Sequence, residues 1–276
     1  MNGNRGGAED AEFSLEILGV CASAMLTMEV GVATAPVPAL RILGVPIHDV
    51  TYDEALEWMG RWIAEGGPHQ IATVNPEFVM AARRDAAFRA VLERAHLCLP
   101  DGVGITLAAR YLGRPLRQRV AGVDLVEAIA ARAAREGWRL FLLGAAPGVA
   151  ERAAAVLRAR YRGVKIVGTY AGSPRPEEEG EIVQRVREAG ADVLLVAYGA
   201  PAQDLWIGRN LARTGAAVGI GVGGAFDYLA GIVPRAPAWI RRIGFEWLYR
   251  LVRQPWRWRR QLALPQFALL VLLRRG

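Results

Sequence analysis

The chain has 276 residues, 53% of them hydrophobic, and a formal net charge of +7. It is long enough to bury a full core and too apolar to be a disordered chain. Its two cysteines, Cys21 and Cys98, make no disulfide framework, and His48, His69 and His96 lack metal-ligand spacing, so no metal site is expected.

Residues 1–38 read as a leader, disordered or loosely docked. A polar, Gly-rich start precedes an apolar stretch over 13–37 that Glu16 and Glu29 interrupt, which argues against a membrane span. From 39 to 233 short β-branched runs alternate with amphipathic helices, the pattern of one α/β core. The run 41–50 reads as extended, and Thr51 with Glu54 forms a capping box opening a helix to about residue 64. Strands are expected at 70–74, 96–99, 139–143, 165–170, 193–197 and 217–222, with helices between most of them. Such alternation specifies an α/β, Rossmann-like fold, a mainly parallel sheet sandwiched by helices.

After Val233 the composition changes. Residues 234–276 read as a C-terminal helical basic appendage: from Arg235 onward ten arginines face one acid, Glu246, for a net +9. Trp239, Trp247, Trp256 and Trp258 are interleaved with them, and 267–273 is a closing apolar run. Arginine offers a fixed fork of donors to phosphate oxygens, and tryptophan favours the boundary between water and hydrocarbon. The appendage is therefore expected to meet an anionic membrane surface, with no segment long and clean enough to cross it.

In a parallel sheet, ligands sit beyond the carboxyl ends of the strands, so the strand exits form a shortlist. They carry Asn75 and Pro76, Pro100 to Gly102, Gly144, Tyr198 to Pro201, and Gly223, Gly224 and Asp227. Each alone is weak. Pro-Asp-Gly is a common turn, and 219–224 matches G-x-G-x-x-G on the last expected strand instead of the first strand of a βαβ unit. Together they are the small and polar residues that line a nucleotide pocket.

The set occurs in a fixed order: Thr73-Val74-Asn75-Pro76-Glu77, Pro100-Asp101-Gly102-Val103-Gly104, Arg119-Val120-Ala121-Gly122-Val123-Asp124, Gly199-Ala200-Pro201-Ala202-Gln203 and Gly221-Val222-Gly223-Gly224-Ala225-Phe226-Asp227. Arg235-Ala236-Pro237, Gly244-Phe245-Glu246-Trp247-Leu248-Tyr249-Arg250-Leu251 and Pro255 follow. Over 41–261 the chain resembles the WecG/TagA/CpsF glycosyltransferases, bacterial enzymes that move an N-acetylmannosamine-type sugar from UDP to polyprenyl-diphosphate-linked GlcNAc.

The resemblance implies an inverting transfer in which Asp101 is the base that takes the acceptor hydroxyl proton. Thr73 and Asn75 would contact the sugar or orient the acceptor, with ordinary strand-end capping as the plainer alternative. No Asp-x-Asp metal motif is present, so arginines would neutralise the leaving diphosphate: Arg119 near the base, and Arg250, Arg257 and Arg260 from the appendage. Gly199 and Gln203 would address the donor, Gln203 having helix-start capping as its alternative. Gly223, Gly224 and Asp227 would meet the uridine, and Gly144 would allow close approach of the phosphates. After Gly172 the chain has Ser173 and Pro174 where the family pattern is aromatic, which puts a stacking contact from that loop in doubt.

The implied reactants are a UDP-sugar donor, with no further cofactor, and the lipid-linked acceptor. The expected location is the cytoplasmic side of the cell membrane, peripherally bound, and a homo-oligomer is compatible with the sequence. Two rivals remain. An NAD-dependent oxidoreductase would draw on 219–224, and a nucleic-acid-binding module on the basic tail; both leave the other strand exits unused.

Overall fold

The computed structural model describes residues 36–237, 239–240, 244–255 and 258–273. The expected leader lies outside them apart from 36–38. The run read as one extended stretch is instead a hairpin, β1 (Leu40–Ile42) and β2 (Val45–Ile47), paired antiparallel as a separate two-stranded sheet. It turns over Leu43 and Gly44, at φ 48° and 93°. A two-residue loop with both φ angles positive matches the twist of a hairpin, and Gly44 supplies one of them without strain. Leucine rarely adopts the other, which hid the turn.

The expected capping box is present: Thr51 Oγ1 accepts from the Glu54 N–H at 3.2 Å and Glu54 Oε2 from the Thr51 N–H at 2.9 Å, opening α1 (Tyr52–Glu65). Then come β3 (His69–Val74), α2 (Pro76–Ala82), α3 (Ala86–Arg94), β4 (Leu97–Pro100), α4 (Val103–Tyr111) and α5 (Gly122–Glu136). The second half runs β5 (Arg139–Gly144), α6 (Val149–Arg160), β6 (Lys165–Tyr170), α7 (Pro176–Ala189), β7 (Val193–Ala197), α8 (Ala202–Thr214), β8 (Val218–Gly221) and α9 (Ala225–Leu229). The basic tail contributes α10 (Glu246–Arg253), α11 (Trp258–Gln261) and α12 (Ala263–Leu273).

Strands β3 to β8 form one sheet in the order β4-β3-β8-β7-β5-β6, and each neighbouring pair is parallel. Side chains alternate across it with period two. Ile71, Val193, Leu195 and Ile220 join one core with α1, α5, α6 and α9. Ala72 and Val74 join a second with the hairpin, α2, α3 and α4, while Leu194 and Val196 join a third with α7 and α8. Helix α12 is part of this packing: Phe267 and Val271 are buried in the cluster that holds Ile42, Phe78 and Ile105. No described helix is long and apolar enough to cross a membrane.

The strand order locates the site. From β3 the chain steps outward to β4, whereas β5 steps to β6 at the opposite edge, and β8 returns to pair with β3. The direction of winding reverses at the β3–β8 junction, where a crevice opens beyond the carboxyl ends of an open parallel sheet.

Candidate active site

A cleft of about 220 Å³ opens over that junction. Its floor is tied across the two strands, for Thr73 Oγ1 donates to the Gly221 carbonyl at 3.0 Å. Asn75 ends β3 and caps α2, its Oδ1 accepting from the Phe78 N–H at 3.0 Å, so the capping alternative describes its oxygen; the residue still lines the cleft. Asp101 follows β4. Its N–H donates to the Val74 carbonyl at 2.8 Å, and its Oδ2 faces the Gly122 N–H, at a long 3.5 Å, where α5 begins. A helix N-terminus carries partial positive charge and favours an ionised carboxylate, the form a base needs.

Asp101 also borders a second recess, which shares Asn75, Glu77 and Glu246 with the cleft and contains Arg119. The loop bearing Arg119 is tethered by Arg117. The Arg117 N–H donates to Asp49 Oδ1 at 2.7 Å, and its guanidinium reaches Glu54 Oε1 and Oε2, both at 2.7 Å. The hydrogen bonds Arg117 donates to Glu54, then to Asp49, hold its guanidinium above its usual value, and the bond from Arg117 lowers the Glu54 carboxyl. Further along the loop, the Ala121 N–H donates to the Tyr52 hydroxyl at 2.7 Å. Burial raises that hydroxyl well above its ordinary value, so it stays neutral beside the site.

The far side of the floor depends on Gln203. This side chain is 1% exposed, and its Oε1 accepts from the Gly199 N–H at 3.1 Å and the Gly223 N–H at 2.9 Å. One amide oxygen thus joins the exits of β7 and β8, a structural use more specific than the capping alternative. A Cβ on Gly221 would lie 2.4 Å from Gln203 Nε2, and one on Gly219 would lie 2.9 Å from Ile207 and Leu211. Those two glycines of the G-x-G-x-x-G match therefore admit α8 against β8. Next to the latch, Asp204 is fully buried. Burial pushes its carboxyl up to about 7, against the Gln203 amide beside it.

Gly199, Gly223, Gly224 and Asp227 line the cleft. Gly223 has φ 52°, a conformation glycine adopts without strain, and Gly224 precedes the short α9. Gly144 is elsewhere: it is not among the cleft-lining residues, and a Cβ there would lie 2.8 Å from the Ala197 backbone carbon, so its close neighbour is β7.

The tail supplies the remaining wall. Arg260 lines the cleft, and its Nε and Nη2 donate to Glu77 Oε2 at 3.0 and 2.9 Å. Arg257 and the side chain of Arg250 lie outside the described residues. Arg235, not singled out as a site residue from the sequence, also lines the cleft, with Nη2 2.6 Å from Asp124 Oδ2. Burial opposes the Arg235 charge, but the Asp124 hydrogen bond together with the charges of Asp124, Glu246 and Glu127 holds the guanidinium above its usual value. Its buried Nε has no hydrogen-bond partner among the described residues. The available signal was the pairing of Arg235-Ala236-Pro237 with Asp124 in an upstream motif.

The histidines are satisfied within the fold. His48 Nδ1 accepts from the Cys98 N–H at 2.9 Å, and His69 stacks on Trp62 with 4.7 Å between ring centroids. Among the described residues, no group of three or more His, Cys, Asp or Glu side chains is placed to hold a metal ion.

The geometry thus gathers a carboxylate, two backbone-lined strand exits and at least three arginines around one cleft and its recess. Residues 40–276 match the model of the glycosyl transferase WecG/TagA/CpsF family. The N-acetylglucosaminyldiphosphoundecaprenol N-acetyl-beta-D-mannosaminyltransferase of Bacillus subtilis (strain 168) is 36% identical over 202 residues, 73% of this chain and 78% of its own. The protein of the same name from Bacillus spizizenii (strain ATCC 23059 / NRRL B-14472 / W23) is 34% identical over the same shares.

Proposed function

The chain belongs to the WecG/TagA/CpsF family of glycosyltransferases, and from that premise we propose that it moves an N-acetylmannosamine-type sugar from UDP to a GlcNAc carried on a polyprenyl diphosphate. The acceptor hydroxyl attacks the anomeric carbon on the face opposite UDP. Its proton passes to Asp101 as the new glycosidic bond forms and the bond to the UDP oxygen breaks, so configuration inverts. The observation that carries this reading is the Asp101 carboxylate, set at the start of α5 and shared by the cleft and the Arg119 recess.

In this reading guanidinium groups, not a metal, meet the charge that develops on the leaving diphosphate. Arg235 and Arg260 line the cleft and Arg119 the recess. Each well-placed donor of this kind is worth ~3 to 4 kcal/mol of transition-state stabilisation. Thr73 and Asn75 orient the reacting sugars beside Asp101, while Gly223, Gly224 and Asp227 approach the uridine. Gln203 serves the donor by holding the two loops that touch it.

The enzyme works at the cytoplasmic face of the membrane in this proposal. Trp239, Phe245, Leu248 and Val252 are exposed around an apolar surface depression on the tail, suited to an interface that arginines draw toward anionic lipid. Incubation with a panel of UDP-sugars and a soluble short-chain prenyl-diphosphate-GlcNAc, followed by mass spectrometry, tests the reading. One added N-acetylhexosamine is expected from UDP-N-acetylmannosamine, at a rate that EDTA leaves unchanged. No glycolipid from any UDP-sugar would overturn the proposal, and loss of activity in EDTA would overturn its arginine-only part.

A further inference from the structure

We infer that the isoprenoid chain of the acceptor lies in a groove between α4 and α12, entered from the Arg119 recess; the inference rests on the proposed glycosyl transfer. The groove, of about 340 Å³, is lined almost wholly by apolar side chains, among them Val103, Leu107, Phe267 and Leu272. It shares Pro76, Val103, Gly104, Trp247 and Leu264 with the recess that holds Asp101 and Arg119. A ligand running from one to the other therefore passes the carboxylate first, the guanidinium nearby and hydrocarbon beyond. That is the sequence of chemical groups in a sugar joined through a diphosphate to a prenyl chain.

Two close approaches give the groove its shape. A Cβ on Gly104 would lie 2.6 Å from Pro76 Cγ, so the start of α4 sits directly on α2. A Cβ on Gly244 would lie 2.8 Å from Val103 Cγ2, so the chain entering α10 lies flat on α4 and forms a wall. Along the rim, Leu107 remains 58% exposed and Leu272 55% exposed. Covering such side chains with hydrocarbon is favourable in proportion to the area removed from water. A bilayer surface fits the tail's shallow depression better than this channel, and the recess arginine selects an anionic head at one end only.

Substrate length and a plug test the assignment without vesicles. Soluble GlcNAc-diphosphate acceptors bearing one or three isoprene units are compared, and farnesyl diphosphate is titrated against inorganic diphosphate by calorimetry. For the parent, KM for the three-unit acceptor is expected to be roughly tenfold lower or better, since each buried methylene contributes about 0.8 kcal/mol when fully covered. Farnesyl diphosphate should outbind diphosphate by a similar factor. Ala268→Trp places a bulky ring in the groove from an exposed position, and should bring both ratios toward one. Leu273→Trp, on an exposed residue outside the groove lining, should keep them.

A parent enzyme indifferent to chain length would overturn the inference, as would full length preference in Ala268→Trp. If no acceptor is glycosylated at all, the proposed transfer fails instead, and the farnesyl diphosphate titration still decides the groove.

Discussion

The two sides of the cleft are held in different ways. The floor is backbone-tied: Thr73 bonds across β3 and β8, and the Gln203 oxygen joins the exits of β7 and β8. The tail wall also has a packed foundation in α12, yet its cleft arginines are set by ion pairs, Arg235 with Asp124 and Arg260 with Glu77. Buried hydrogen bonds to main-chain groups fix position firmly, while partly exposed ion pairs contribute little stability and can exchange partners. A rigid floor suits the placing of a base and a sugar. In the proposed transfer, exchangeable arginines would suit a diphosphate whose negative charge grows as it leaves.

The sharpest way to break this contrast is Asp101→Asn. It should lower kcat by roughly 10²–10⁴-fold, the usual worth of a general base, with the melting temperature nearly unmoved. A full-rate variant would remove Asp101 from the chemistry.

Asp204→Asn probes the floor through stability. The Asp204 carboxyl lies at about 7 in the folded protein against 3.8 for an aspartate in water. Between those values the unfolded chain has released this proton and the folded one has kept it, so the contribution to stability falls as pH rises through the window and is flat above it. The span corresponds to roughly 4 kcal/mol. The uncharged amide carries no such slope, so the variant's melting temperatures at pH 5 and pH 8 should lie closer together than the parent's, with the variant the more stable at pH 8. An unchanged pH slope would show that Asp204 is ionised in the folded state.

The wall should answer in rate more than in stability. Arg235→Gln is expected to cost about 10²–10³-fold in kcat. Arg260→Ala should also slow transfer, yet change stability by less than about 1 kcal/mol, because its ion pair with Glu77 is partly exposed. Denaturant midpoints and initial rates separate the two. Loss of folding in Arg260→Ala with normal rate per folded molecule would reverse the contrast drawn above.

How much of this was legible in the sequence follows from the range of the interactions. The six strands of the sheet were visible because β-branched runs and turn residues are local signals, and the capping box of α1 was read directly. The hairpin was missed because a leucine occupies a left-handed position in its turn. In the cleft, Asp101, Asn75 and Asp227 could be shortlisted from the strand-exit rule, whereas Thr73, inside β3, came only with the family resemblance. Gly144 looked like the same kind of residue, but close packing against the neighbouring strand accounts for a glycine there. The Gln203 latch and the Arg235–Asp124 and Arg260–Glu77 pairs depend on partners brought together by folding, the latter two separated by 111 and 183 positions. No local pattern displays such pairs, although the motifs containing them were in view.

The packing of Phe267 and Val271 with Ile42 and Ile47 has a consequence for biosynthesis. The hairpin leaves the ribosome early and α12 late, so this cluster cannot close until nearly all of the described chain has been translated. Pairing of β3 with β8 imposes a similar wait on the centre of the sheet. Such distant contacts slow folding, since loop closure must precede the reward of contact. A nascent chain halted before α12 would expose the apolar faces that helix covers and become a target for chaperones.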